Sequence, residues 1–144
     1  MPQLVKADPP WTLSDLSAPR AVSAAFGLLW VRVVGRDLYA HAPSAAAITV
    51  PSAGRALRVG FTPGFAPGDH TGTDGVTFEV WANGERLYSR HVTLHDRLQR
   101  EFVRVPARQT DDPQLSFVTT PGPHGDDRYD RAMWQNVEVA LVTQ

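Results

Sequence analysis

Gly75-Val-Thr-Phe-Glu-Val-Trp-Ala-Asn-Gly-Glu-Arg-Leu-Tyr88 is two alternating runs joined by Asn83-Gly84, a pair that supplies the positive φ a type I′ turn requires at both central positions. The stretch predicts a β-hairpin. With Asn83 and Gly84 as the loop, Ala82 faces Glu85, and an uninterrupted ladder sets Trp81 against Arg86, Val80 against Leu87, Glu79 against Tyr88 and Phe78 against Ser89. Side chains alternate along a strand, so that ladder puts Val76, Phe78, Val80 and Leu87 on a core face. Thr77, Glu79, Trp81, Arg86, Tyr88 and Arg90 fall on the other. That second face, half aromatic and half charged, is either the outside of a sheet or a surface for a polar ligand with a flat apolar side.

Outward from the hairpin the chain reads the same way. Short apolar runs near 21–26, 29–34, 38–42, 46–50, 56–61, 100–105, 115–119 and 134–142 are separated by turn residues, and no stretch keeps a helical period for more than a turn. Twelve Pro and eleven Gly spread along the chain leave helices little room. The expectation is an all-β sandwich. Its 144 residues suit one domain at 21–144, preceded by an extended lead-in over 1–20 that Trp11 anchors.

A net charge of −1 gives no reason to expect a nucleic-acid partner. No apolar run approaches the ~20 residues of a membrane span, so no direct insertion of this segment is expected. The absence of Cys removes disulfide and thiolate chemistry. Without a nucleophile elbow, a phosphate-cradling loop or a zincin motif, the residues point away from an enzyme.

Three segments, Leu38-Tyr-Ala-His-Ala-Pro-Ser44, the hairpin 75–84 and Tyr129-Asp-Arg-Ala-Met-Trp134, together resemble the novel putative carbohydrate-binding module family, NPCBM. Tyr39 stands where that family commonly has Gly, and Asn136 where it often has an acidic residue. The resemblance implies a jelly-roll β-sandwich of the galactose-binding-like superfamily and non-catalytic glycan binding by loops at one end. It also implies attachment to a larger glycan-active protein and an extracytoplasmic location, periplasmic, extracellular or in the cell envelope. The alternative it leaves open is an accessory or protein-interaction sandwich of a larger membrane-associated glycosyltransferase-like or other glycan-active protein, without sugar binding of its own.

Candidate residues follow. The segment 121–131 gathers His124, Asp126, Asp127, Arg128, Tyr129 and Asp130, donors, acceptors and a ring suited to sugar hydroxyls. Asp130 serves equally well as a brace against Trp134, which itself reads as core. Trp81 or Tyr88 could stack on a sugar while Glu79 and Arg86 take hydroxyls, or Trp81 could pack beneath the N-terminal segment or on Arg86. His41 is a further candidate, with a hydrogen-bonded structural histidine as the commoner role. The segment 62–75 reads as a long functional loop. In it Asp69 and Asp74 are oxygen ligands of the kind Ca²⁺ prefers, with Glu138 or Asn136 able to add an oxygen, and the resembling folds carry structural Ca²⁺. A solvated turn entering the hairpin is the simpler account of the same residues. His91 and His95 are four apart, but off a helix that spacing does not put them on one face.

Overall fold

A computed structural model describes residues 9–16, 20–24, 31–66, 75–108, 112–121 and 131–142, with the backbone alone for 20–24. Eleven strands run along it: β1 (Trp11–Thr12), β2 (Arg20–Ala24), β3 (Val31–Val34), β4 (Asp37–His41), β5 (Ser44–Thr49) and β6 (Leu57–Phe65). β7 (Val76–Ala82), β8 (Glu85–Val92), β9 (Glu101–Val105), β10 (Gln114–Thr120) and β11 (Arg131–Leu141) complete it, with no helix among the described residues. Two antiparallel sheets result. The first has the order β3-β4-β11-β6-β9, with β1 added to β11; the second is β2-β5-β10-β7-β8. The fold is the all-β sandwich that the alternation predicts.

Burial follows that alternation. Along β7, Val76, Phe78, Val80 and Ala82 are buried while Thr77, Glu79 and Trp81 are half-buried, and β10 repeats the pattern against it. Trp134, fully buried, ties the sheets together. Its indole meets Phe61 of its own sheet at 4.9 Å and Phe78 and Phe117 of the opposite sheet at 5.1 Å each, all edge-to-face, the arrangement that ring quadrupoles favour. Trp11, Leu13 and Leu16 are buried with them, and Trp11 reaches the core through the pairing of β1 with β11, Trp11 opposite Val139.

Four features depart from the sequence reading. Asn83 (φ 52°) and Gly84 (φ 87°) make the turn as expected, but one extra residue enters β8 after Arg86. Val80 therefore faces Tyr88, not Leu87, and Glu79 faces Ser89. Tyr88 is thus moved off the face it was expected to share with Trp81. Its ring sits edge-on to Phe61 across the sandwich at 5.1 Å, and the area it buries there explains why the bulge is worth its broken ladder.

Second, 62–65 is strand rather than loop. β6 runs through Pro63, whose missing N–H the sheet tolerates, to Phe65, and the connection to β7 is correspondingly shorter. Third, Arg131 opens β11 instead of closing the preceding loop. Fourth, β11 carries a bulge between Gln135 and Glu138, with Asn136 at φ 50°. Asp37 accepts the Asn136 N–H at 2.7 Å, and Val137 N–H donates to the Arg36 carbonyl at 3.0 Å. The added residue lets Val137 and Val139 face inward after Trp134, which unbroken alternation forbids.

Two outcomes follow. Trp134→Ala should cost about 3–5 kcal/mol in urea denaturation, since three ring contacts and a large volume vanish together. Burial, with Glu101 nearby and the Arg90 guanidinium opposing, pushes the Tyr88 phenol up to about 12, and its hydroxyl has no hydrogen-bond partner among the described residues. The raised value favours the neutral form, so this contribution to stability is intact below the ordinary phenol value near 10 and fades as pH climbs toward 12. Tyr88→Phe should leave neutral-pH stability unchanged or raised and flatten that alkaline loss, measured by denaturation from pH 7 to 12.

Candidate functional site

Register decides where the connections gather. Arg131 lies opposite His41, Thr119 opposite Ser44, Thr120 opposite Thr77, Ala132 opposite Phe65, Glu101 opposite Phe61, and Val92 opposite Val76. The β4–β5, β6–β7, β8–β9 and β10–β11 connections therefore all leave from one end of the sandwich. The strand ends flanking 67–74 and 122–130 are brought together in this way. His124, Asp126, Arg128, Tyr129, Asp130, Asp69 and Asp74 themselves lie outside the described residues.

The border of that end is described. His41, 8% exposed, donates from Nδ1 to the Ala42 carbonyl at 2.8 Å. Behind it Ser44 and Thr119, both buried, share a 2.6 Å hydroxyl hydrogen bond, and Thr119 also reaches the Ala40 carbonyl at 3.3 Å. Buried polar groups so paired are structurally satisfied. On the second sheet Thr77 Oγ1 lies 2.9 Å from His91 Nδ1, so His91 is engaged within its own hairpin, while His95 is exposed in the turn beyond. Gly75 sits beneath that ring at φ 104°, where a Cβ would fall 2.6 Å from both His91 Nε2 and the Val92 carbonyl oxygen.

Tyr39, noted in the sequence only as a departure from the family pattern, and Arg131 were not among the binding candidates, yet both belong to this border. Leu38 and Ala40 are buried, so Tyr39 and His41 share the outward side of β4. The Arg32 guanidinium lies 5.7 Å from the Tyr39 ring centre. Burial raises the Tyr39 phenol above its ordinary value against the pull of Arg131 and Arg32. The signal was present in the alternation of Leu38-Tyr-Ala-His41, but the strand that supplies Arg131 had first to be paired with it.

Trp81 and Glu79 stand elsewhere, on the outer face of the second sheet. Cross-strand neighbours there are small: Ser116 then Ala47 beside Trp81, and Val118 then Ala45 beside Glu79. Trp81 Nε1 donates to Glu79 Oε1 at 2.8 Å, and Arg86 lies 3.7 Å from the other carboxylate oxygen. The Glu79 side chain is only 14% exposed. Its carboxylate therefore holds the indole in place and is committed before any ligand arrives, which leaves the ring face and Arg86, more than half exposed, to meet one.

No group of three or more metal-ligating side chains occurs among the described residues. Glu138 pairs with Gly60, six residues before Ala66, where the β6–β7 connection leaves. At ~3.3 Å per residue that is about 20 Å of strand, so Glu138 does not border that connection. Asn136, which stood as its alternative, has its N–H on Asp37 and its carbonyl on Arg100, in the β11 bulge.

No protein-family model matches the sequence, and no match is found among curated proteins. Solved structures do share the fold. A CBM51 module of a Clostridium perfringens GH95 protein, solved in complex with methyl-galactose, superposes with a TM-score of 0.58 at 12% identity, covering 96% of this chain and 95% of that one. The CBM51-2 and INT domains of C. perfringens ZmpB, in complex with GlcNAc, give 0.57 at 15% identity, over 96% of this chain and 29% of that one. Tandem CBM51 modules of a Streptococcus pneumoniae family 98 glycoside hydrolase give 0.57 at 15%, over 97% and 42%. This chain thus shares the β-sandwich architecture of these modules, and spans less than a third of the ZmpB chain it matches.

Gly75→Ala should lower stability by more than about 1 kcal/mol, since it adds a strained φ to a clash that must displace His91. Comparing its melting temperature with that of Thr77→Val separates the backbone cost from loss of the Thr77–His91 hydrogen bond.

Proposed function

We infer that this chain is a non-catalytic carbohydrate-binding module that recognises a glycan through the loops at one end of the sandwich. The observation that carries the reading is the near full-length correspondence with a module solved with methyl-galactose, 96% of one chain on 95% of the other. At 12% identity this transmits the architecture and not the contacts, so the binding residues are assigned from this chain's own chemistry. Tyr129 offers a ring for the C–H face of a sugar, Asp126 and Asp130 accept from hydroxyls, and Arg128 and His124 donate. His41, Tyr39 and Arg131 border the end from which the segment carrying them departs. Trp81 with Arg86 is a subsidiary surface on the sheet face. Affinity is modest, because each hydroxyl contact replaces one already made to water.

The finer affiliation we favour is NPCBM-like, on the Phe78-Glu-Val-Trp81 and Tyr129–Trp134 segments. Attachment to a larger glycan-active protein and an extracytoplasmic location belong to the same proposal. The ZmpB and family 98 hydrolase matches, in which a module of this shape is part of a longer chain, support the former. Structural Ca²⁺ held through Asp69 and Asp74, with Glu138 as the third ligand named for it, belongs to the same proposal.

A glycan array run with Ca²⁺ and with EDTA tests this, using wild type, Tyr129→Ala/Asp130→Ala and Trp81→Ala, each with its melting temperature. Selective binding should fall about ten- to a hundredfold in the double variant at unchanged melting temperature, and little in Trp81→Ala. A lower melting temperature in EDTA marks bound calcium. A folded wild type that binds no glycan overturns the reading in favour of an accessory domain.

A further inference from the structure

The outer face of the first sheet carries a cluster that the proposed loop site does not use. Leu57 and Val59 of β6 and Val103 and Val105 of β9 are buried, so Arg58, Gly60, Phe102 and Arg104 point outward. Arg58 lies directly opposite Arg104, and Gly60 opposite Phe102. Phe102 is 54% exposed, the most exposed large apolar side chain among the described residues. Its ring leans over Gly60, where a Cβ would meet it at 3.0 Å, and the guanidiniums of Arg58 and Arg100 lie 4.5 and 5.6 Å from its centre. Arg100 is held in place by its 2.8 Å hydrogen bond to the Asn136 carbonyl.

Three cations here lack an ion-pair partner among the described residues. The side-chain ion pairs of the described residues are Arg86–Glu79 and Arg90–Glu101, so none of Arg58, Arg100 and Arg104 has a carboxylate in contact among them. Among the described residues, Glu138, on the neighbouring strand beyond Gly60, and Asp37, which accepts the N–H of the Asn136 that Arg100 holds, are the acidic groups near these three cations. Like charges set directly opposite across a ladder destabilise it, so the Arg58–Arg104 pair costs stability, in a chain whose net charge is −1. An exposed aromatic ring with guanidiniums packed over it suits a ligand with a C–H surface and carboxylate or sulfate groups at its edge.

We propose that this face is a second binding site, separate from the loop end, which takes an acidic polysaccharide bearing uronate or sulfate groups. The choice of a saccharide among polyanions rests on the glycan-binding reading above. Arg58 and Arg104 clamp the acidic groups of one sugar, the exposed part of the Phe102 side chain packs against its C–H surface, and Arg100, two alternations along from Arg104, meets the acidic group of a later unit.

The test is binding of the full chain to polygalacturonate and to heparin, with a neutral glycan array and a duplex DNA oligonucleotide run in parallel. Wild type should retain one or both acidic polymers and release them as salt rises. Arg58→Gln/Arg104→Gln and Phe102→Ala should each weaken that binding about tenfold or more while leaving any neutral-glycan binding intact. The double Arg variant should melt no lower than wild type, because it relieves a repulsion. Acidic-polymer binding without neutral-glycan binding keeps this site and removes the loop site; the reverse removes this one. The proposal is overturned if wild type binds neither acidic polymer, if the variants bind them unchanged, or if DNA is held as tightly and Phe102→Ala has no effect.

Discussion

The sandwich depends on the Trp134 indole. Both sheets contact this one side chain, with rings from β6, β7 and β10 turned edge-on to it. Edge-to-face packing is directional in a way that aliphatic burial is not, so it fixes how far the sheets can slide as well as how closely they approach. Loops at one end can be positioned by strands in different sheets only if that offset is constant. The same interaction explains the bulge at 135–138, which lets β11 present Trp134 and then Val137 and Val139 to one core.

What was legible in the sequence was local. The Asn83-Gly84 turn is encoded by the φ values its two residues tolerate, and the buried faces of β7 and β10 by side chains two apart. What was not legible depended on a partner distant in sequence. Tyr88 changes face because Phe61, from the other sheet, offers it a ring to lie against, and nothing between 75 and 88 announces this. Pro63 and Gly64 made 62–65 look like loop, although β11 pairs with all of it.

The candidate site divides in the same way. His41 reads as a hydrogen-bonded structural histidine, and its contact with its own neighbour's carbonyl is of that kind. Glu79 and Trp81 were rightly grouped on one face, but that the carboxylate binds the indole is a matter of rotamers that alternation does not specify. Glu138 was grouped with Asp69 and Asp74 by residue type alone; register separates it from the start of their connection by six residues of β6. The arginine and phenylalanine cluster has no sequence signature, because Arg58 and Arg104 are 46 positions apart and only the β6–β9 register makes them neighbours.

β8 and β9 are the last strands of their sheets, on the flank where Arg90 of one is paired with Glu101 of the other. Strands so placed present backbone groups to which a second copy could add, extending the ladder into an aggregate. The extra residue after Arg86 kinks β8 midway, and the Arg90–Glu101 pair sets charges along both edges. A straight incoming strand can match neither. The bulge that carries Tyr88 inward thus also blunts the sheet against growth, and a variant that straightened β8 would be expected to gain a self-association liability even if it still folded.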